Sequence, residues 1–180
     1  MKALIVAISA LSLAATAAHD SGKPFGLFAG QQVVQSLSGF TWGPVTNGLS
    51  IGLAPASAHF VVGSPIDVRI ALRNVTAKAR SFNQMSMFYS LSLRDQNGAP
   101  VHELPDVYFG TGSSAGGNIL TITPGDAVEL TRDLGKQFPL HAGQYTLVAT
   151  AELREAATYH GDDQRAIGLI SSAPLTLKLQ

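Results

Sequence analysis

The chain has no cysteine among its 180 residues. That excludes disulfide staples, thiolate zinc sites, cysteine nucleophiles and lipidation through a thiol. Charge is scarce at 13%, and twelve Lys+Arg cancel twelve Asp+Glu to a formal net charge of zero. Without a basic excess, nucleic-acid binding and polybasic membrane reading lack their electrostatic footprint. Beyond Ala18 no apolar run approaches the roughly 20 residues a spanning helix needs. What is present is a 46% hydrophobic content with 18 Gly and 9 Pro. This balance opposes intrinsic disorder, and the length suits one domain with one sizeable core.

Residues 1–18 read as a secretory signal peptide. Lys2 supplies the positive start, the run from Ala3 to Ala14 is apolar but too short to span, and Ala15-Thr16-Ala17 fits a small-x-small cleavage site. His19-Asp20-Ser21-Gly22-Lys23 then ends the run with mostly polar residues. The expected product is exported, periplasmic or extracellular, with no stable membrane span after cleavage. An exported chain without cysteine fits a bacterial envelope, where about 160 residues fold without staples.

From Leu49 onward the pattern has period two, which sends alternate side chains to opposite faces of a strand. In Ile66-Asp67-Val68-Arg69-Ile70-Ala71-Leu72-Arg73 the apolar set Ile66, Val68, Ile70 and Leu72 faces one way. Tyr89, Leu91 and Leu93 repeat the pattern, as do Val128 and Leu130, the run from Tyr145 to Leu153, and Leu175, Leu177 and Leu179. One buried and one wet face per strand marks antiparallel sheets. Gly63-Ser64-Pro65, Asn97-Gly98, Pro124-Gly125-Asp126 and His141-Ala142-Gly143 supply the turns, and Asn97-Gly98 predicts a two-residue hairpin. About seven to nine strands result, spaced as in two stacked sheets.

Residues 48–180 therefore read as an all-β, immunoglobulin-like antiparallel β-sandwich. Residues 19–47 read as an N-terminal arm or linker, rich in Gly and Ser yet carrying Phe25, Phe28, Phe40 and the sole Trp, Trp42. Its apolar residues either fold back on the sheets or dock on a partner.

Leu140-His141-Ala142-Gly143-Gln144-Tyr145 resembles the tyrosine corner of immunoglobulin-like domains, where a Tyr hydroxyl bonds back to upstream backbone; an ordinary inward Tyr is the alternative. Four blocks carry a wider resemblance: Phe60 to Asn74, Ser90 to Val101, Ile122 to Asp126 and Ala142 to Leu147. Together they are similar to bacterial immunoglobulin-like domains of the intracellular proteinase inhibitor family, from roughly Leu49 to Arg154. The resemblance implies the sandwich fold and, through the family's name, protease inhibition in the cytoplasm. An export signal and a Trp-bearing arm depart from that pattern.

Motifs that spell chemistry lack their structural context. Gly112-Ser113-Ser114-Ala115-Gly116 matches a nucleophile elbow, but a strand pattern follows where the elbow needs a helix. The same missing helix removes the dinucleotide reading of Gly110, Gly112 and Ala115. His19, His59, His102, His141 and His160 show no metal-ligand spacing, and His160-Gly161-Asp162-Asp163-Gln164 offers too few oxygens for calcium. Asn74-Val75-Thr76 spells a glycosylation sequon. No catalytic, cofactor-binding or metal residue is expected, and the function expected is non-enzymatic protein binding or structural association. Tyr108, Phe109, Trp42 and Phe28 are the candidate partner contacts, with the partner an unknown protein and not a nucleic acid. Two alternatives stand beside it: a protease inhibitor using the 104–118 loop, and a small hydrolase whose groups meet only in three dimensions.

Overall fold

The computed structural model describes residues 31–34, 36–83, 88–105, 119–156 and 164–180. Twelve strands form there, in chain order: β1 (Gln31–Val33), β2 (Thr41–Trp42), β3 (Leu49–Pro55), β4 (Asp67–Asn74), β5 (Arg80–Asn83), β6 (Phe88–Asp95), β7 (Pro100–Val101), β8 (Ile119–Ile122), β9 (Ala127–Asp133), β10 (Gly143–Ala156), β11 (Gln164–Ser171) and β12 (Leu175–Leu179). The fold is all-β with almost no helix, in two antiparallel sheets. The count exceeds the seven to nine expected because β1, β2 and β7 have only three, two and two residues, too few to show alternation.

The first sheet has the order β1-β9-β4-β3-β2. The second is built around β10, whose fourteen residues serve several neighbours. Along one edge it pairs with β6 over residues 145–152, and Glu155 reaches Phe82 of β5, which carries β8. Along the other it pairs with β12 over 143–147 and β11 over 150–156. Ser172 bridges the junction of these last two. Its N–H donates to the Ala149 carbonyl at 2.8 Å, and its hydroxyl oxygen accepts from the Ala149 N–H at 2.9 Å. A side-chain oxygen thus replaces a missing ladder acceptor, where a buried unmet donor would cost about 1–3 kcal/mol.

Alternation decides what is buried. Leu49, Ile51 and Leu53 of β3, Val68, Ile70 and Leu72 of β4, and Val128 and Leu130 of β9 belong to one hydrophobic cluster with Leu93, Leu147, Ala149, Leu153, Ile170, Leu175 and Leu177 of the second sheet. Both sheets therefore contribute to a single core. Tyr145 is buried in it, and its hydroxyl donates to the His141 carbonyl and accepts from the His141 N–H, each at 3.1 Å. This is the bond back to upstream backbone that the Tyr-corner pattern requires.

The chain's two Asn-Gly turns differ in geometry. At Asn97-Gly98 only the glycine has positive φ, at 81°, and Arg94 faces Pro100 while the Asp95 N–H donates to the Ala99 carbonyl. The loop is therefore three residues long, not two. The Asp95 carboxylate accepts from the N–H groups of Asn97 and Ala99, both at 2.9 Å, which favours a right-handed turn closed by a left-handed glycine. The two-residue hairpin is Asn47-Gly48, with φ of 49° and 79° and reciprocal bonds between Thr46 and Leu49. Both central residues lie in the left-handed region, as a type I′ turn demands.

That hairpin ties residues 31–47 into the first sheet. β1 pairs with β9 at one edge and β2 with β3 at the other. Phe40, with Val34 and Trp42, packs on Ala54 and Ala71, side chains of the sheet face turned away from the main core. Among the described residues no helix is long and apolar enough to cross a membrane.

Candidate functional site

Three surfaces gather side chains capable of recognition. The first is the outer face of the five-stranded sheet. Trp42 faces Gly52 across the strand pair, and a β-carbon at residue 52 would sit 2.7 Å from Trp42 Cε3, so the ring occupies the space glycine leaves. The Phe40 and Trp42 rings lie 5.3 Å apart and tilted. The Arg69 guanidinium stacks 4.7 Å from the Phe40 centroid, and that of Arg73 lies 5.8 Å from the Trp42 centroid. Arg69 also donates from Nη2 and Nε to Glu129 Oε2, at 2.6 and 3.0 Å. Trp42, a candidate partner contact, is half-buried and spends much of its surface on this internal stack.

The second surface is a cleft of about 400 Å³ beside the Asn47-Gly48 turn, lined by Asn47, Thr76, Lys78, Arg80, Glu155 and Arg165 among others. Arg80 is fixed in its wall. Its Nη2 donates to Glu155 Oε2 at 3.0 Å, its Nε pairs with Oε1, and its Nη1 donates to the Asn47 carbonyl at 2.9 Å. Asn47 Nδ2 in turn donates to the Ile167 carbonyl at 2.8 Å. The cleft's carboxylate is thereby spent on Arg80, and Lys78 and Arg165 leave the rim positive. Nearby, Asn74 is fully buried: its Nδ2 donates to the Lys78 and Ile122 carbonyls, and its Oδ1 accepts from the Thr76 N–H and hydroxyl. The sequon asparagine is thus a turn anchor with its amide nitrogen fully engaged.

The third surface is the end of the molecule where β3, β6 and β9 finish. The Val62 N–H donates to the Gln180 carbonyl, the Leu134 N–H to that of Ile66, and the Leu104 N–H to that of Gln137, joining these loops. Leu134 and Phe138 are buried beneath them, whereas Val61, Val62 and Leu104 are exposed. Val61-Val62 before Gly63-Ser64-Pro65 could have signalled this exposure, since two adjacent valines entering a turn cannot both face a core. His59, His102 and His141 are exposed here too, but no three His or carboxylate side chains converge among the described residues.

The half-buried Tyr89 of β6 packs against the core, and the exposed Arg132 of β9 lies opposite Val68 in the β4–β9 register. Burial raises the Tyr89 hydroxyl above its ordinary 10.0, with the Arg132 charge opposing. Partial burial lowers the Arg132 guanidinium, and Tyr89 opposes that shift.

Tyr108, Phe109 and Phe28 lie outside the described residues, as do His19, His160, Asp162, Asp163 and the 112–116 elbow spelling. The Ile119–Ile122 segment after that spelling is strand. Sequence reasoning missed the Arg80–Glu155 pair, whose partners are 75 residues apart and carry no shared motif. No family model matches the chain, and no curated protein matches it.

Proposed function

We propose that this chain is an exported, immunoglobulin-like β-sandwich that works by binding another protein or by structural association, without turnover. The observation that carries the reading is the loop end: Val61, Val62 and Leu104 are held exposed on loops cross-tied by backbone hydrogen bonds. Loops on a rigid scaffold are the usual seat of recognition, and these loops present apolar side chains to solvent. The Tyr145 bond to His141 and the core shared by both sheets support the immunoglobulin-like sandwich. The test is capture from the native envelope fraction, comparing the wild type with Val61→Asp/Leu104→Asp. A partner retained by the first and lost by the second supports the reading; equal capture by both removes the loop end from it.

One observation favours protease inhibition as a second reading. The 104–118 loop begins at Leu104, whose N–H donates to the Gln137 carbonyl, and is followed by Ile119 in register with Asn83. A segment so anchored, carrying Tyr108 and Phe109, suits presentation to an enzyme cleft. Titration against a panel of secreted proteases tests it, and unchanged protease activity at stoichiometric excess eliminates it.

A further inference from the structure

Among the described residues, the edge of β6 beyond β7 is unpaired and points to a partner. The Asp95 N–H donates to the Ala99 carbonyl, so odd-numbered residues of β6 direct their backbone groups toward β7, and even-numbered ones toward β10. The β7 strand covers this edge only opposite Leu93 and Arg94. The chain then leaves: Leu104 bonds to Gln137, at the end of the other sheet. Among the described residues, the N–H and C=O groups of Tyr89 and Leu91 on this edge have no partner. Edges of this kind are normally blunted by charge, proline or a bulge. Residues 88–92 read Phe-Tyr-Ser-Leu-Ser, with no charge and no proline, and their register against β10 is unbroken.

We propose that this edge pairs with the same edge of a second copy, antiparallel, about a two-fold axis through Ser90. The register is self-complementary. Centring on Ser90 sets Tyr89 opposite Leu91 of the second copy, and the reverse, so each pair exchanges both backbone hydrogen bonds and all the open groups are met. Tyr89 and Leu91 both pack toward the core, so the apolar face continues across the join, while exposed Ser90 and Ser92 share the outer face. Self-pairing of a charged strand would set like charges against each other; here there are none to oppose. The pairing is independent of what the loop end binds.

The experiment exploits the absence of cysteine. Ser90 meets its own copy at a non-hydrogen-bonded position, with Cα atoms about 4.5 Å apart, within disulfide range. Ser92 lies two residues from the axis, so its two copies are roughly 13 Å apart. Full-length Ser90→Cys under mild oxidation should run as a reducible dimer, and Ser92→Cys should not. Light scattering should give the wild type twice the mass of one chain, and Ser90→Lys one chain mass with an unchanged circular dichroism spectrum. Equal cross-linking at both cysteines, no cross-link at 90, or a wild type of single mass at the highest soluble concentration overturns the proposal. A cross-link from position 90 to a different polypeptide overturns it as well.

Discussion

Single residues carry this fold in unequal ways, and the least conspicuous is Gly43. A β-carbon there would lie 2.7 Å from Ser172 Cα and closer still to the Ser171 carbonyl oxygen, so backbone alone fills the space. Neither neighbour is a side chain that could rotate away. Gly43→Ala should cost about 1–3 kcal/mol in urea unfolding, the range for forced overpacking. Tyr145 acts through two hydrogen bonds to His141. Tyr145→Phe keeps the ring and removes the hydroxyl, and a loss of about 1 kcal/mol is expected in the same assay. Tyr145 could be read in advance because it is an aromatic at a strand start after a turn. Gly43 could not, because its constraint comes from residues 171 and 172, more than a hundred positions along the chain.

At the scale of elements, legibility followed length. The long alternating strands β4, β6, β10 and β12 could be read from the sequence, because five to fourteen residues display period two plainly. β1 and β2 could not, and the segment holding them looked like an arm. Their role becomes visible only through pairing at opposite edges of one sheet, with Phe40 carried onto the small side chains of Ala54 and Ala71 between them. Phe40 is about nine-tenths buried there. Phe40→Ala should therefore lower stability by about 3 kcal/mol, as for a core aromatic rather than a linker residue. Denaturant titration checks this, and a change under 1 kcal/mol would show that the segment adds little to the sheet. The candidate site was less legible than the fold, since Arg80 and Glu155, or Leu104 and Gln137, meet through topology and not through spacing.

At the scale of the whole molecule, side chains of both sheets share one hydrophobic cluster, and the burial of Tyr89 against it has a titration consequence. Burial raises the Tyr89 hydroxyl above 10.0 in the folded state. Above pH 10 the unfolded chain has released this proton while the native chain still holds it. The unfolded state then binds fewer protons, and stability falls as pH rises. Below pH 10 both states are neutral at this group and its contribution is fully present. Stability should accordingly decline above pH 10, and Tyr89→Phe should make the decline shallower. An unchanged alkaline limb in that variant would mean the hydroxyl titrates freely in water. The most direct measurement is a set of methyl nuclear Overhauser contacts on the purified chain. Val68, Ile70 and Leu72 of the five-stranded sheet should show cross-peaks to Leu147, Ala149 and Leu153 of the seven-stranded one. Cross-peaks confined to neighbours within each sheet would contradict a shared core, and with it a scaffold able to hold the loop end in place.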